Sequence, residues 1–193
     1  MLQELAENLN GYTDKGTTHS YLELYNQLLF KIKDTALNVL EVGIGNWDTK
    51  NNGASILLWL KYFKKANIYA IDIIKEKYVI PEIINSDRIK LFCSTNAYDL
   101  NFVQRELSGI EFDFLLDDGP HTLQSQKDFI KLYSSLLSNK GILIIEDVQN
   151  ILDFNELTDC TPEHLKRYIR TYDRRDQKGR YDDLVFTIDR LNS

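Results

Sequence analysis

The chain has 193 residues, 43% hydrophobic and 27% charged, with a formal net charge of −6 and an isoelectric point near 5.1. That is ordinary globular usage, long enough for one domain with a real core, and its acidic balance argues against a general binder of nucleic acid or of an anionic membrane. There is no apolar run of ~20 residues to span a membrane. The opening MLQELAENLNGYTDKG is acidic where an export signal is basic and then apolar. Cys93 and Cys160 lack paired spacing, so a cytoplasmic protein with reduced thiols is expected, without a disulfide scaffold or cysteine zinc site.

In chain order, Tyr21, Leu24, Tyr25, Leu28, Leu29 and Ile32 recur at helical spacing. They predict an N-terminal helix, within a segment 1–35 that packs on a sheet and partly covers its pocket. His19, in GYTDKGTTHSY, is read either as part of that lid or as a local cap. Residues 38–72 then read as strand, glycine turn, helix and strand. Val39, Leu40 and Val42 make a strand of the kind buried on both faces of a parallel sheet, with Glu41 at its exit. Gly43 and Gly45 allow a sharp turn and close approach of a ligand. Ala54, Ile56, Leu57, Leu58, Trp59, Leu60 and Phe63 supply the helix, and Asn67–Ile71 the next strand, which delivers Asp72 to the ligand crevice at the carboxyl edge. A dinucleotide fingerprint requires a third glycine, but this chain has Asp48. A carboxylate there repels a pyrophosphate, whereas the ammonium and sulfonium of S-adenosylmethionine tolerate it. Glu41 and Asp72 then suit the amino-acid end and the ribose hydroxyls. Taken alone, the glycine turn fits a plain structural βαβ unit equally well.

Further strands are predicted at Ile89–Cys93, Phe112–Leu116 and Ile142–Ile145, with helices near Leu100–Leu107 and Leu123–Leu137, and Gly141 as a helix stop. LKRYIRTYD and YDDLVFTIDR, joined by the polar turn RRDQKG, predict an antiparallel hairpin at the sheet edge. The fourth predicted strand ends in Asp117-Asp118-Gly119-Pro120-His121 and the fifth in Glu146-Asp147, so carboxylates converge at one edge. A divalent cation relieves their repulsion. Asp118, Glu146 and Asp147 are the candidate ligands, with Mg²⁺ favoured because it takes few protein carboxylates plus waters or substrate oxygens. The plainer alternatives are that Asp147 caps a helix and Asp117 completes a turn. His121, three residues past Asp118, is placed to take a proton from a hydroxyl, and an imidazole's ordinary pKa of ~6.5 suits that task. Lys166, Arg167, Arg170, Arg174, Arg175, Lys178 and Arg180 concentrate positive charge near the hairpin, but interspersed Asp173 and Asp176 favour a solvated face over an RNA surface.

In their order, TDKGTTHSYLELY, VLEVGIGNWDTKNNGASILLWLKYF, IYAID, LLDDGPH and LIIEDV give a pattern that resembles class I S-adenosylmethionine-dependent methyltransferases. It is most similar to the metal-dependent sugar O-methyltransferases of macrolide biosynthesis, from Asp14 to Ile188. The resemblance implies a single domain over 1–193 with an α/β, Rossmann-like, doubly wound sheet of seven strands, mostly parallel, whose last strand is antiparallel. It implies S-adenosylmethionine and Mg²⁺ as cofactors, Asp118, Glu146 and Asp147 as metal ligands, and His121 as catalytic base. Its cofactor residues map to Glu41, Gly43, Gly45, Asp72, Ile73, Thr95, Asn96 and Asp117. The implied acceptor is a hydroxyl of a sugar or glycosylated small molecule. The alternatives are a catechol-type or other small-molecule O-methyltransferase, or a non-catalytic cofactor-binding subunit. Two departures stand out. The chain lacks the extra N-terminal domain of some of those enzymes, so homo-oligomeric assembly does not transfer. It also has Pro120 where they carry serine, which stiffens the loop that aims His121 and removes a donor.

Overall fold

The computed structural model describes residues 2–9, 13–45 and 52–191. Its strands are β1 (Asn38–Val42), β2 (Asn67–Ile71), β3 (Ile89–Phe92), β4 (Phe112–Asp117), β5 (Leu137–Ile145), β6 (Ile169–Asp173) and β7 (Leu184–Asp189). Its helices are α1 (Leu2–Asn8), α2 (Asp14–Thr17), α3 (Tyr21–Leu29), α4 (Ala54–Tyr62), α5 (Pro81–Ile84), α6 (Leu100–Glu106), α7 (Leu123–Tyr133), α8 (Asp153–Cys160) and α9 (Arg175–Lys178). No helix among the described residues is long and apolar enough to cross a membrane.

The strands form one sheet in the order β3-β2-β1-β4-β5-β7-β6. Neighbours among the first five are parallel; β7 runs antiparallel to both β5 and β6. This is the α/β, Rossmann-like architecture expected, with the hairpin closing one edge. Alternate residues of the central strands feed two separate cores. Val39, Ile68, Phe114, Ile142 and Ile144 pack with residues of α1, α3 and α4, whereas Leu40, Val42, Ile71, Leu115, Leu143 and Ile145 pack with residues of α6, α7 and α8. Because both faces are covered, the strands read as continuous apolar runs rather than alternating ones. Asp99 and Thr122 cap α6 and α7, each side chain accepting a bond from a backbone N–H of the first turn.

Several expectations are corrected. The expected N-terminal helix is present as α3, ending in a 3₁₀ turn over Phe30–Ile32, and two short helices precede it among the described residues. The helix predicted to Leu137 ends at Tyr133, followed by a 3₁₀ turn over Ser134–Leu136, and β5 begins at Leu137. Gly141 is therefore no helix stop. It lies within β5, beside the register shift where Phe112 faces Leu137 and Phe114 faces Ile142. A Cβ there would stand 2.8 Å from the Phe112 carbonyl oxygen, so a side chain does not fit. In the hairpin, Glu163–Tyr168 is a 3₁₀ turn and the linker contains α9. The sequence did not signal α8, whose helix carries only Leu157 into the core.

Arg88, just before β3, donates to the carbonyls of Leu60, Phe63 and Ala66 at 2.6, 2.8 and 3.0 Å. Leu60 lies in the last turn of α4, where carbonyls lack helical partners, and Phe63 and Ala66 lie in the loop that leads to β2. Replacing Arg88 with alanine is expected to cost about 2–3 kcal/mol, read as a drop in Tm of several degrees; an unchanged Tm would contradict the assignment.

Candidate functional site

Register brings the site together. Val42 is paired with Ile71 on one side and Asp117 on the other, and Asp117 with Ile145. The next residue of each strand, Gly43, Asp72, Asp118 and Glu146, therefore emerges at the same level of one edge. Gly43 has φ +97°, and a Cβ there would lie 1.9 Å from the Asp118 carbonyl oxygen. The β1 and β4 exits approach closely only because that side chain is missing. Asp72 fixes the turn: Oδ2 accepts from the backbone N–H of Ile44 and Gly45 at 2.6 and 3.2 Å, and Oδ1 from Ile74 at 3.0 Å. Asp48, expected to stand beside this turn, lies outside the described residues.

A cavity of about 340 Å³ opens over the turn. Of the residues assigned from sequence to a cofactor, Gly43, Gly45, Asp72, Ile73, Thr95 and Asn96 line it, together with Tyr98, Asp118 and Pro120. Asp117 and Glu41 do not. Asp117 sits behind the wall, where its Oδ1 accepts from the Tyr98 hydroxyl at 2.6 Å. Burial pushes its carboxyl up to about 7 against the opposing effect of that bond. Glu41 is fully buried, accepting from Ser55 Oγ at 2.8 Å and from Trp59 Nε1. Burial raises it to about 7, while nearby Lys15 acts in the opposite direction.

Beside the cavity, Asp118 Oδ1 and Asp147 Oδ2 lie 3.8 and 3.6 Å from His121 Nε2. The three residues offer ligand atoms within 4.8 Å of one another. Two hard carboxylate oxygens at the ends of neighbouring strands suit a divalent cation that keeps open positions. Glu146 is not part of this group, because Oε1 accepts from Lys15 Nζ at 2.5 Å and Oε2 from the Tyr25 hydroxyl. Lys15, with no exposed surface, also donates to Asp118 Oδ2 at 2.6 Å and stands 3.5 Å from Glu41. Burial alone would lower the Lys15 pKa; Asp118, Glu146 and Glu41 outweigh it and hold the ammonium well above its ordinary value.

The described residues of segment 1–35 thus cover the carboxylates, and none of them lines the cavity. Tyr21 donates to Asp147 Oδ1 at 2.5 Å. His19, read as a lid residue or a local cap, lies in the covering segment at neither cap position: it is buried, stacks on Tyr21 at 4.8 Å, and pairs through Nδ1 with Asp183 Oδ1 at 2.7 Å. Lys15, Tyr98 and Asp183 escaped the sequence reading. Tyr21 and Tyr25 were visible only as core positions of a helix, although a tyrosine buried there also needs a partner for its hydroxyl. Of the basic cluster, Lys166, Arg174, Arg175 and Arg180 each pair with a carboxylate, in keeping with a solvated face.

The MycE methyltransferase of the mycinamycin biosynthetic pathway, solved in complex with Mg, SAH and mycinamycin VI, matches with a TM-score of 0.75 and 20% identity over 97% of this chain and 53% of that one. The chain has the Rossmann-like methyltransferase fold. An O-methyltransferase from Bacillus cereus, solved with SAH, shares this methyltransferase fold at a TM-score of 0.60 and 17% identity, covering 97% of this chain and 90% of that one. In sequence, the chain is 28% identical over 135 residues to the L-olivosyl-oleandolide 3-O-methyltransferase of Streptomyces antibioticus, which is 68% of this chain and 33% of that protein. It is 26% identical over 151 residues to the mycinamicin VI 2''-O-methyltransferase of Micromonospora griseorubida, 76% of this chain and 36% of that protein. The chain spans about a third of the length of these relatives. No family model matches it.

Cys93 follows β3 close to the cavity wall. Burial, with Glu76 and Asp72 adding to it, pushes its thiol up to about 11. Only the thiolate is alkylated, so at pH 8 iodoacetamide should modify Cys93 on the order of a hundredfold more slowly than a free thiol. The rate should still be climbing at pH 10; a midpoint near the ordinary thiol value of about 8.5 would refute the shift.

Proposed function

We propose that residues 1–193 form one O-methyltransferase domain, dependent on S-adenosylmethionine and Mg²⁺, which methylates a hydroxyl of a sugar or glycosylated small molecule. The observation that carries this reading is the double position of Asp118. It lines the cavity over the glycine turn and also stands in the group with Asp147 and His121. A cofactor compartment and a proton-accepting imidazole thus share one wall. The named relatives, which are sugar O-methyltransferases, support the acceptor class, and the Mg and SAH of the MycE complex support the cofactors. The unpaired Cys93 and Cys160 fit a cytoplasmic setting.

In this reading Gly43, Gly45, Asp72, Ile73, Thr95 and Asn96 hold the cofactor, with Asp72 shaping the turn and Thr95 and Asn96 forming the far wall. Glu41 and Asp117 support that compartment from behind, through α4 and Tyr98. Asp118 and Asp147 would hold the metal by their outward oxygens, with Glu146 behind them on Lys15. When bound, S-adenosylmethionine supplies an activated methyl group and Mg²⁺ supplies charge that favours ionisation of the acceptor hydroxyl. His121 Nε2 takes the hydroxyl proton as the oxygen attacks, and the neighbouring carboxylates stabilise the imidazolium formed. The protein's larger contribution is to hold acceptor and donor in line.

Replacing His121 with alanine should lower kcat by about 10²–10⁴-fold, with the calorimetric affinity for S-adenosylhomocysteine unchanged. Near-full turnover with a true acceptor would remove His121 as base. Gly43→Ala should weaken S-adenosylhomocysteine binding by about tenfold or more, since the added Cβ pushes Asp118 away at a strained φ. Assay against glycosylated small molecules and catechols, with Mg²⁺ or with chelator, tests the acceptor class. Transfer to catechols alone would overturn the sugar assignment.

A further inference from the structure

Lys15 comes from a single helical turn, α2, yet reaches the centre of the carboxylate edge with no surface exposed to solvent. Its Nζ lies 2.6 Å from Asp118 Oδ2, 2.5 Å from Glu146 Oε1 and 3.5 Å from Glu41 Oε1. Two of the three carboxylates expected to ligate a divalent ion are therefore already held by a cation of the chain itself. Asp118 divides its oxygens: Oδ2 goes to the lysine and Oδ1 faces His121. Asp147 divides likewise, with Oδ1 on the Tyr21 hydroxyl and Oδ2 towards His121. Glu146 has one oxygen on Lys15 and the other on Tyr25. An ion arriving at this edge meets one outward oxygen from each aspartate, and the remaining oxygens are occupied.

We propose that Lys15 is a resident second cation of the ion site, a positioning residue that stays in place when the divalent ion is bound. It withholds carboxylate oxygens from that ion, so that coordination positions stay open for the acceptor's hydroxyls. The inference rests on the reading that this edge takes a divalent ion. The physics is direct. Carboxylates removed from water need a nearby positive charge whether or not an ion is present. A lysine and a divalent ion on opposite oxygens of one carboxylate repel each other in a medium less polarisable than water, so the lysine weakens ion binding and keeps the ion exchangeable. Mg²⁺ in turn tolerates few protein ligands and retains several waters, which are the positions a diol would take.

Mn²⁺ serves as the probe, its free concentration read by electron paramagnetic resonance and its bound waters by proton relaxation. Lys15→Met should bind Mn²⁺ at least about tenfold more tightly than the wild type. It should also show lower relaxation enhancement per bound ion, because the freed Asp118 and Glu146 oxygens displace water. Lys15→Arg should restore wild-type values for both. Unchanged or weaker binding in Lys15→Met, beside intact binding in the wild type, would overturn the role of Lys15 and leave the ion site standing. A wild type that takes up no Mn²⁺ would overturn both. If circular dichroism shows that Lys15→Met fails to fold, reductive methylation of the wild type followed by mass spectrometry decides. Lys15 should stay unmodified with and without Mn²⁺, and labelling that appears only with Mn²⁺ would mean that the ion expels the lysine and the inference fails.

Discussion

One ammonium set among three carboxylates is the constraint around which the rest of this structure is arranged. Parallel strands that end at the same level necessarily bring their exit residues together, here Asp118 after β4 and Glu146 after β5, and Glu41 lies just inside the end of β1 beside them. Unpaired and out of water, such charges would each cost several kcal/mol. Lys15 offsets that cost from outside the sheet, which explains why a short polar helix is drawn to the carboxyl edge. The aromatic residues of α3 continue the same task, as the hydroxyls of Tyr21 and Tyr25 donate to Asp147 and Glu146 while their rings join the core.

The edge therefore has two distinct environments. On the inner side, Lys15, Glu41, Glu146 and the tyrosines form a closed and fully bonded layer. On the outer side, Asp118 and Asp147 turn one oxygen each towards His121, which keeps a third of its side-chain surface exposed. Chemistry on an incoming hydroxyl belongs to the outer side, and the inner layer sets its geometry. His19 and Asp183 extend the bonded layer to the start of β7, so the antiparallel hairpin also helps to fix Asp147.

How much of this was legible in the sequence depends on the length scale of the signal. The five parallel strands announced themselves as apolar runs, and the convergence of Asp118 with Asp147 followed from parallel topology alone. The turn residues around the cavity were readable because glycines and the carboxylate of Asp72 sit at fixed offsets from β1 and β2. What escaped depends on contacts between residues far apart in the chain: Lys15 meets Asp118 across 103 positions and His19 meets Asp183 across 164. No periodicity marks a lysine for burial, and residue frequencies argue against it. The bonds of Glu146 to Lys15 and Tyr25 were hidden for the same reason, since they span 131 and 121 positions. Gly141 failed differently: a glycine after an apolar helical pattern reads as a stop, and only the register shift in β5 reveals its purpose.

Three residues other than glycine hold a left-handed backbone in the described chain, Ser94, His121 and Asp147, with φ of +53°, +57° and +54°. Each follows the exit of a different parallel strand, at the edge where the cavity and the carboxylates meet. A side chain in that conformation carries a cost of order 1 kcal/mol that glycine avoids. At His121 and Asp147 the backbone would be more relaxed without the very groups that give the edge its chemistry. Optimising this protein for stability alone would therefore erode the site first, and its working surface is maintained by the packing of the sheet behind it rather than by local preference.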